Sequence, residues 1–311
     1  MLMFILRRVG VMLATMVALT LVVFYLVNLP GNLEKLAKFQ GYDRMTDTEV
    51  EAWLEKNGYN RPFFVRYGEW LVNTARGDMG DSTVFRKPVN QVINERLGAT
   101  GILMLWVMVV MVPSALVVGI LAGMREGSLL DRSLSVGAIT STSAPEYVTG
   151  IVFTVIFASG LGLFSGVARA GDVTFENFTL PVLTMAVYGM GYIARLTRAS
   201  MVEVMTSQYI RTARLKGLNF RTVVVKHALR NALITPFTVI MLQFPWLLTG
   251  VVVVEAMFNY KGFGFALISA AGNNDIDLLL AISWVAVIIV LLTQLISDIG
   301  YAYLNPRIRV Q

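Results

Sequence analysis

The chain has 311 residues, of which 56% are apolar and only 15% charged, and its mean hydropathy of +0.64 lies outside the range of soluble domains. With no cysteine and a single histidine, His227, it can assemble neither a thiolate nucleophile nor a Cys/His zinc site, so no catalytic residue and no metal are expected. The net charge of +6 sits beside hydrophobic spans, where membrane anchoring accounts for it and nucleic-acid binding is rejected.

Arg7 and Arg8 precede the apolar run Val9 to Leu29, which at about 1.5 Å per residue crosses a hydrocarbon core of ~30 Å. The run exceeds the roughly 7–15 residues of a signal-peptide core and no A-x-A site follows, so residues 1–29 read as an uncleaved first span with its N-terminus inside. Residues 30–96 then change character, with ten Lys/Arg balanced by ten Asp/Glu. So long a segment can be translocated despite its cations, and residues 30–98 read as an external loop with short amphipathic helices. Within it, Thr46-x-x-Glu49 is a capping box opening a helix through Trp53 and Leu54 that Gly58 ends. Phe64 to Ala75 form a second candidate helix, with Phe64, Gly68, Leu71, Val72 and Ala75 on a face suited to the membrane surface.

Five more apolar stretches follow, within a core expected over residues 99–311. The second span is expected at about Ala99 to Met124, through Pro113 and Gly119, and the third at about Ser143 to Phe164, beginning Ser143-Ala144-Pro145-Glu146. The fourth is Leu180 to Ala199, the fifth about Ala232 to Val254 and the sixth about Leu278 to Ser297. Gly189-Met190-Gly191-Tyr192-Ile193-Ala194 matches a dinucleotide fingerprint in form only, because that fingerprint needs a strand and a soluble βαβ unit, whereas small residues in an apolar helix serve packing. Glu146 lies one turn into its span. An ionisable group there faces the protein interior or water, which makes it a candidate for a translocation pathway; pairing at the helix end with Arg132 or another inner cation is the simpler alternative.

Between the fourth and fifth spans, residues 203–236 carry Arg211, Arg214, Lys216, Arg221, Lys226 and Arg230 against Glu203 as the only carboxylate, so the segment belongs on the cytoplasmic side. Ser207 can cap a helix that Gly217 ends, with Tyr209, Ile210, Ala213 and Gly217 on one face and Arg211, Arg214 and Leu218 on the other. Outside residues 30–96 the inner segments hold Arg7, Arg8, Arg125, Arg132, eight cations from Arg195 to Arg230, Arg307 and Arg309, against only Arg169 and Lys261 outside. Both termini are therefore expected in the cytoplasm.

Arg211-Thr212-Ala213, Gly217 and His227-Ala228-Leu229-Arg230-Asn231-Ala232 resemble the cytoplasmic "EAA" loop of the membrane permease subunits of ATP-binding-cassette importers. His-x-Leu-Arg, where the general family has I-x-L-P, is similar to the dipeptide and oligopeptide subclass. Other segments agree in order and spacing. Gly77-Asp78-Met79-Gly80-Asp81-Ser82 is similar to the external G-D-x-G-x-S segment of B-type peptide permeases, and Leu130-Asp131-Arg132 again resembles the subclass. Val254-Glu255-Ala256-Met257-Phe258, then Lys261-Gly262-Phe263-Gly264, follow the pattern V-E-x-x-F…P-G-x-G, with Lys261 for proline; Gly98 also stands where the family usually has proline. The stretch Asp298 to Arg309 resembles D-x-x-Y-A-x-L-D-P-R-I-R, with Asn305 for Asp.

The resemblance implies an all-α, polytopic protein of the bacterial inner membrane, with six transmembrane helices in the type I importer permease fold and a long external loop. It implies that Tyr209, Arg211, Thr212, Ala213, Gly217, His227, Arg230 and Asn231 form the ATPase-coupling surface, and it adds Glu255 to Glu146 as a pathway candidate. The sequence has no G-x-x-x-x-G-K-[ST] loop, so the chain itself is expected to be no enzyme and to hold no cofactor. By resemblance, ATP and Mg belong to two partner ATPase subunits; a C-type permease subunit, an extracytoplasmic substrate-binding protein and the lipid bilayer complete the partners. Dipeptides or oligopeptides are the substrates of the subclass, with nickel chelates and oligosaccharides carried by other relatives. A reading from a different class, an ion-gradient-driven secondary transporter, would use Glu146 and Asp298 as intramembrane carboxylates; interfacial salt bridges account for both more simply.

Overall fold

The computed structural model describes residues 2–304 apart from 43, 170 and 172; the expected terminal motif from Asn305, with Arg307 and Arg309, lies outside the described residues. In chain order the helices are α1 (Leu2–Val27), α2 (Pro30–Gln40), α3 (Asp47–Lys56), α4 (Phe63–Ala75), α5 (Val89–Met124), α6 (Leu129–Ser143), α7 (Glu146–Phe153), α8 (Phe175–Met205) and α9 (Gln208–Leu215). They continue as α10 (Phe220–Thr222), α11 (Leu229–Ala232), α12 (Ile234–Met241), α13 (Gln243–Met257), α14 (Phe263–Gly272) and α15 (Ile276–Leu304). Two π-helical stretches, Thr154–Gly160 and Val223–Ala228, extend α7 and precede α11. A short antiparallel hairpin pairs β1 (Asp81–Ser82) with β2 (Lys87–Pro88).

Proline chemistry sets the breaks. Ala144, before Pro145, is extended at φ −101°, ψ 137° and separates α6 from α7, as the ring excludes the helical region for the residue ahead of it. The fifth stretch breaks twice, after Ala232 and after Met241, each four residues before a proline, Pro236 and Pro245. Each ring removes the N–H that would bind that carbonyl. The two carbonyls are met from elsewhere, the Ser200 hydroxyl donating to Ala232 O at 2.8 Å and Ser297 Oγ lying 2.9 Å from Met241 O.

Two expected boundaries move. The second long helix begins at Val89, ten residues before Ala99, and runs through Gly98, which unlike proline retains its N–H. The helix ahead of Glu146 begins at Leu129, where Ser128 Oγ accepts from Asp131 N–H at 3.1 Å. On length and composition three helices are able to cross a membrane, Leu6–Val27, Val89–Met124 and Ile276–Ile299. The pair Phe220–Ala232 and Ile234–Leu248, bent by 44°, adds a fourth if it forms one span. Six are not reached on those grounds, because prolines divide the third and fifth stretches and α8 carries Thr, Gly, Tyr and Arg among its apolar residues.

The chain forms two compact units. One holds the described residues up to Thr100 with Lys261–Leu292. The described residues of 30–88 are folded in it: Phe24, Val27, Leu33, Leu36, Tyr67, Ile276 and Leu280 form one core, and Val89, Val92, Ile93, Phe263, Ala266, Ala270 and Leu278 belong to another. The expected capping box is present, with Glu49 Oε2 accepting from Thr46 N–H at 2.8 Å. In α4, Tyr67 and Thr74 are buried while Phe64 and Val72 are exposed; Leu71, expected on the outer face, packs inward. The turn in which Lys261 replaces proline is held by Arg96 Nη1, which donates to Lys261 O at 2.6 Å, and by Phe263 N–H, which donates to Thr100 Oγ1 at 2.7 Å.

The other unit holds Gly101–Tyr260 and the described residues from Thr293 onward. Its central helix is α8, against which α6, α7, α11, α12 and α13 pack. Gly191 lies where a Cβ would stand 2.5 Å from Ala138 O and 2.1 Å from Ser141 Oγ. The glycine-rich segment of α8 is therefore a helix-packing surface.

Candidate functional site

The basic segment folds as expected at its start and end. Ser207 is the extended N-cap residue of α9, and Gly217 follows its C-terminus with φ +78°. Gly217 N–H donates to Arg214 O at 3.0 Å and Leu218 N–H to Ala213 O at 3.4 Å, the paired bonds of a Schellman ending. What faces outward differs from the expectation. Ile210 is fully buried and Ala213 nearly so, packed with Met201 and Met205 of α8 and with Val223, Val224, Ala228 and Ala232. The small-residue face is thus turned into the protein's own core. Arg211, Thr212, Arg214, Lys216 and Gly217 are exposed, and Leu215 projects at 80% exposure.

Of the other expected residues, the structure joins Tyr209 and Asn231: Asn231 Nδ2 donates to Tyr209 Oη at 2.9 Å, tying α9 to α11. Arg230 is exposed beside them and His227 is half-buried in the π-helical turn. Ile120 and Met124 at the end of α5 border the same apolar cluster. One small core therefore joins α9 to the ends of α5 and α8 and to the start of the bent fifth stretch.

The two expected pathway carboxylates part company. Glu146 is half-buried at the first turn of α7, and among the described residues it makes no ion pair, with Arg132 or any other cation. Glu255 is completely buried near the end of α13, where Tyr260 N–H donates to its backbone carbonyl at 2.8 Å. The Glu255 side chain is therefore enclosed by this chain, whereas that of Glu146 is partly open.

Residues 115–310 match the family described as "Binding-protein-dependent transport system inner membrane component". The oligopeptide transport system permease protein AppB of Bacillus subtilis strain 168 is 32% identical over 273 residues, covering 85% of this chain and 86% of that protein. The glutathione transport system permease protein GsiC of Salmonella choleraesuis is 33% identical over 310 residues, covering 99% of both. The chain belongs to this permease family. It is a multi-pass inner-membrane permease subunit of an ATP-binding-cassette importer, and not an enzyme.

Sequence reasoning missed two anchors of the permease. Asp131 is buried and takes a two-pronged contact from Arg198, Nε to Oδ1 at 2.5 Å and Nη2 to Oδ2 at 2.8 Å. Arg198, then the Gly127 N–H and the Ser135 hydroxyl, hold the Asp131 carboxyl well below the usual carboxylate range against the opposing effect of burial. The second anchor explains the Gly77 to Ser82 motif. Buried Asp275 accepts from Ser82 Oγ at 2.6 Å and Val84 N–H at 3.1 Å while capping α15 through Leu278 N–H at 3.3 Å. At Gly80, φ +77°, a Cβ would stand 2.8 Å from Asp277 Oδ2. The signal in the sequence is Asp275-Ile276-Asp277 at the head of an apolar run, an N-cap pattern.

Proposed function

We propose that this permease imports short peptides, as half of a translocation pathway completed by a C-type permease subunit. Two ATPase subunits supply the energy, with ATP and Mg bound on them, and an extracytoplasmic binding protein delivers the substrate. The observation that carries the coupling reading is α9, a short helix rooted by Ile210 and Ala213 with a cationic outer surface and the exposed Leu215. An ATPase that grips this surface pulls on a core shared with the inner ends of α5, α8 and the fifth stretch. The peptide substrate class is supported by the relatives named for oligopeptide and glutathione transport.

In this reading the chain crosses the membrane six times: α1, α5, α6 from its second turn with α7, α8, α12 with α13, and α15. Both termini and α9 are cytoplasmic and the folded segment 30–88 is external. Because the chain lacks cysteine, single cysteines at the exposed positions Thr48 and Lys216 should react with an impermeant thiol reagent from opposite sides. The decisive experiment is uptake of labelled dipeptides into proteoliposomes bearing the full complex and its binding protein. Uptake that requires ATP supports the assignment; uptake that ignores ATP and collapses with the proton gradient would replace it with a secondary transporter.

A further inference from the structure

We infer that Glu146 is a cation-selecting group on the transport path, placed to receive the ammonium or guanidinium group of a substrate; the inference deepens the peptide-import reading and rests on it. The argument starts with depth. The Asp131–Arg198 pair fixes the register of α6 against α8 at one end, and Gly150 sits against Thr184 further along, a Cβ there standing 3.1 Å from Thr184 Cγ2. Arg198 and Thr184 are 14 residues apart on α8, or about 21 Å at 1.5 Å per residue. Glu146, one turn before Gly150, therefore lies roughly 15 Å from the ion pair, near the middle of a core of ~30 Å. Glu146 opens α7 at the break set by Pro145, but that break lies well away from the Asp131–Arg198 pair at the start of α6, so the cation at that end does not reach the carboxylate.

Orientation agrees with depth. Tyr147, Ile151 and Val155 form the exposed apolar face of this segment, whereas Glu146 and Gly150, four residues apart, share the face turned to α8 and α13. The position of a Cβ on Gly250 would be 3.7 Å from Glu146 Oε1, 3.7 Å from Met185 Cε and 3.8 Å from Trp246 Cε2. Trp246 stacks on Tyr188 with ring centroids 5.3 Å apart. Glu146, Tyr188, Trp246 and Gly250 are all half-buried, so the group is not sealed inside this chain. A carboxylate at mid-depth with no cation paired to it among the described residues is costly in lipid and is retained where it meets water or a charged ligand. The negative charge and the adjacent aromatic faces both favour a cation.

The absence of cysteine makes a direct test possible. The Cβ of a cysteine at Gly250 meets only ordinary contacts and lies 3.7 Å from Glu146 Oε1. In the assembled complex, Gly250→Cys should react with a cationic methanethiosulfonate reagent about tenfold faster, relative to an anionic one, than it does after Glu146→Gln. Glu146→Gln should also cut ATP-driven dipeptide uptake while ATP hydrolysis stimulated by the binding protein is retained, and Glu146→Asp should restore part of the uptake. No reaction with either reagent, a ratio indifferent to Glu146→Gln, or normal uptake by that variant would each overturn the inference. If the unaltered complex takes up no peptide, the import reading fails, whereas the reagent ratio still reports on Glu146 alone.

Discussion

Ser200 Oγ donates to the carbonyl of Ala232 at 2.8 Å, the carbonyl that Pro236, four residues later, leaves without its helical partner. The serine on α8 and the proline in the fifth stretch are therefore two halves of one arrangement. Ser200→Ala should strand a buried acceptor and destabilise the permease by about 1–3 kcal/mol. Pro236→Ala returns an N–H donor to Ala232, so Ser200→Ala should cost little in that background. Thermal unfolding of the four proteins of the double-mutant cycle measures the coupling; additive losses would separate the two residues.

The Asn231–Tyr209 hydrogen bond ties α9 to α11. Tyr209→Phe and Asn231→Ala should each loosen α9 by about 1 kcal/mol, leaving abundance in the membrane unchanged and lowering uptake per ATP hydrolysed. The double variant should behave like either single one. Transport and hydrolysis measured in the same vesicles give the ratio.

Asp131 and Arg198 define a pH dependence. The Asp131 carboxyl is held low in the folded protein, so its contribution is full above the ordinary carboxylate value of about 4 and is lost only as pH falls through the lower folded value. Asp131→Asn should therefore lower stability at neutral pH, by roughly 1–3 kcal/mol for the loss of charged hydrogen bonds to a half-buried Arg198. The gap between wild type and variant should persist at pH 5 and close only in stronger acid. Unfolding midpoints in detergent across that range measure it.

The helices were legible because their signals are local. Apolar runs, the Thr46–Glu49 box and the Ser207 and Gly217 ends of α9 each depend on neighbouring residues. The Gly217 ending and the bias of cations toward one set of segments likewise needed no tertiary knowledge. What could not be read depends on partners far apart in sequence. Ala213 and Arg211 are two residues apart, yet only the packing of Met201, Val223 and Ala228 shows that Ala213 faces in. Ser82 needs Asp275, 193 residues away, to explain it. The place of Glu146 is of the same kind, since its distance from the Asp131–Arg198 pair depends on how α6 and α7 pack along α8, which no local pattern gives.

Gly217 gives the sharpest test of the coupling reading. Its φ of +78° is strained for any side chain with a Cβ, but among the described residues other than its chain neighbours no atom lies within 4 Å of where that Cβ would be. Two costs can therefore be separated. Gly217→Ala carries backbone strain alone, about 1 kcal/mol, and Gly217→Asn, which tolerates this conformation, carries less. Gly217→Trp adds bulk at an exposed position. All three variants should insert at normal abundance. If an ATPase seats over the end of α9, Gly217→Trp should abolish co-purification of the ATPases and ATP-driven uptake, while Gly217→Ala and Gly217→Asn retain most of both. Equal losses for Ala and Trp would assign the effect to strain, and full uptake by Gly217→Trp would remove the end of α9 from the docking surface.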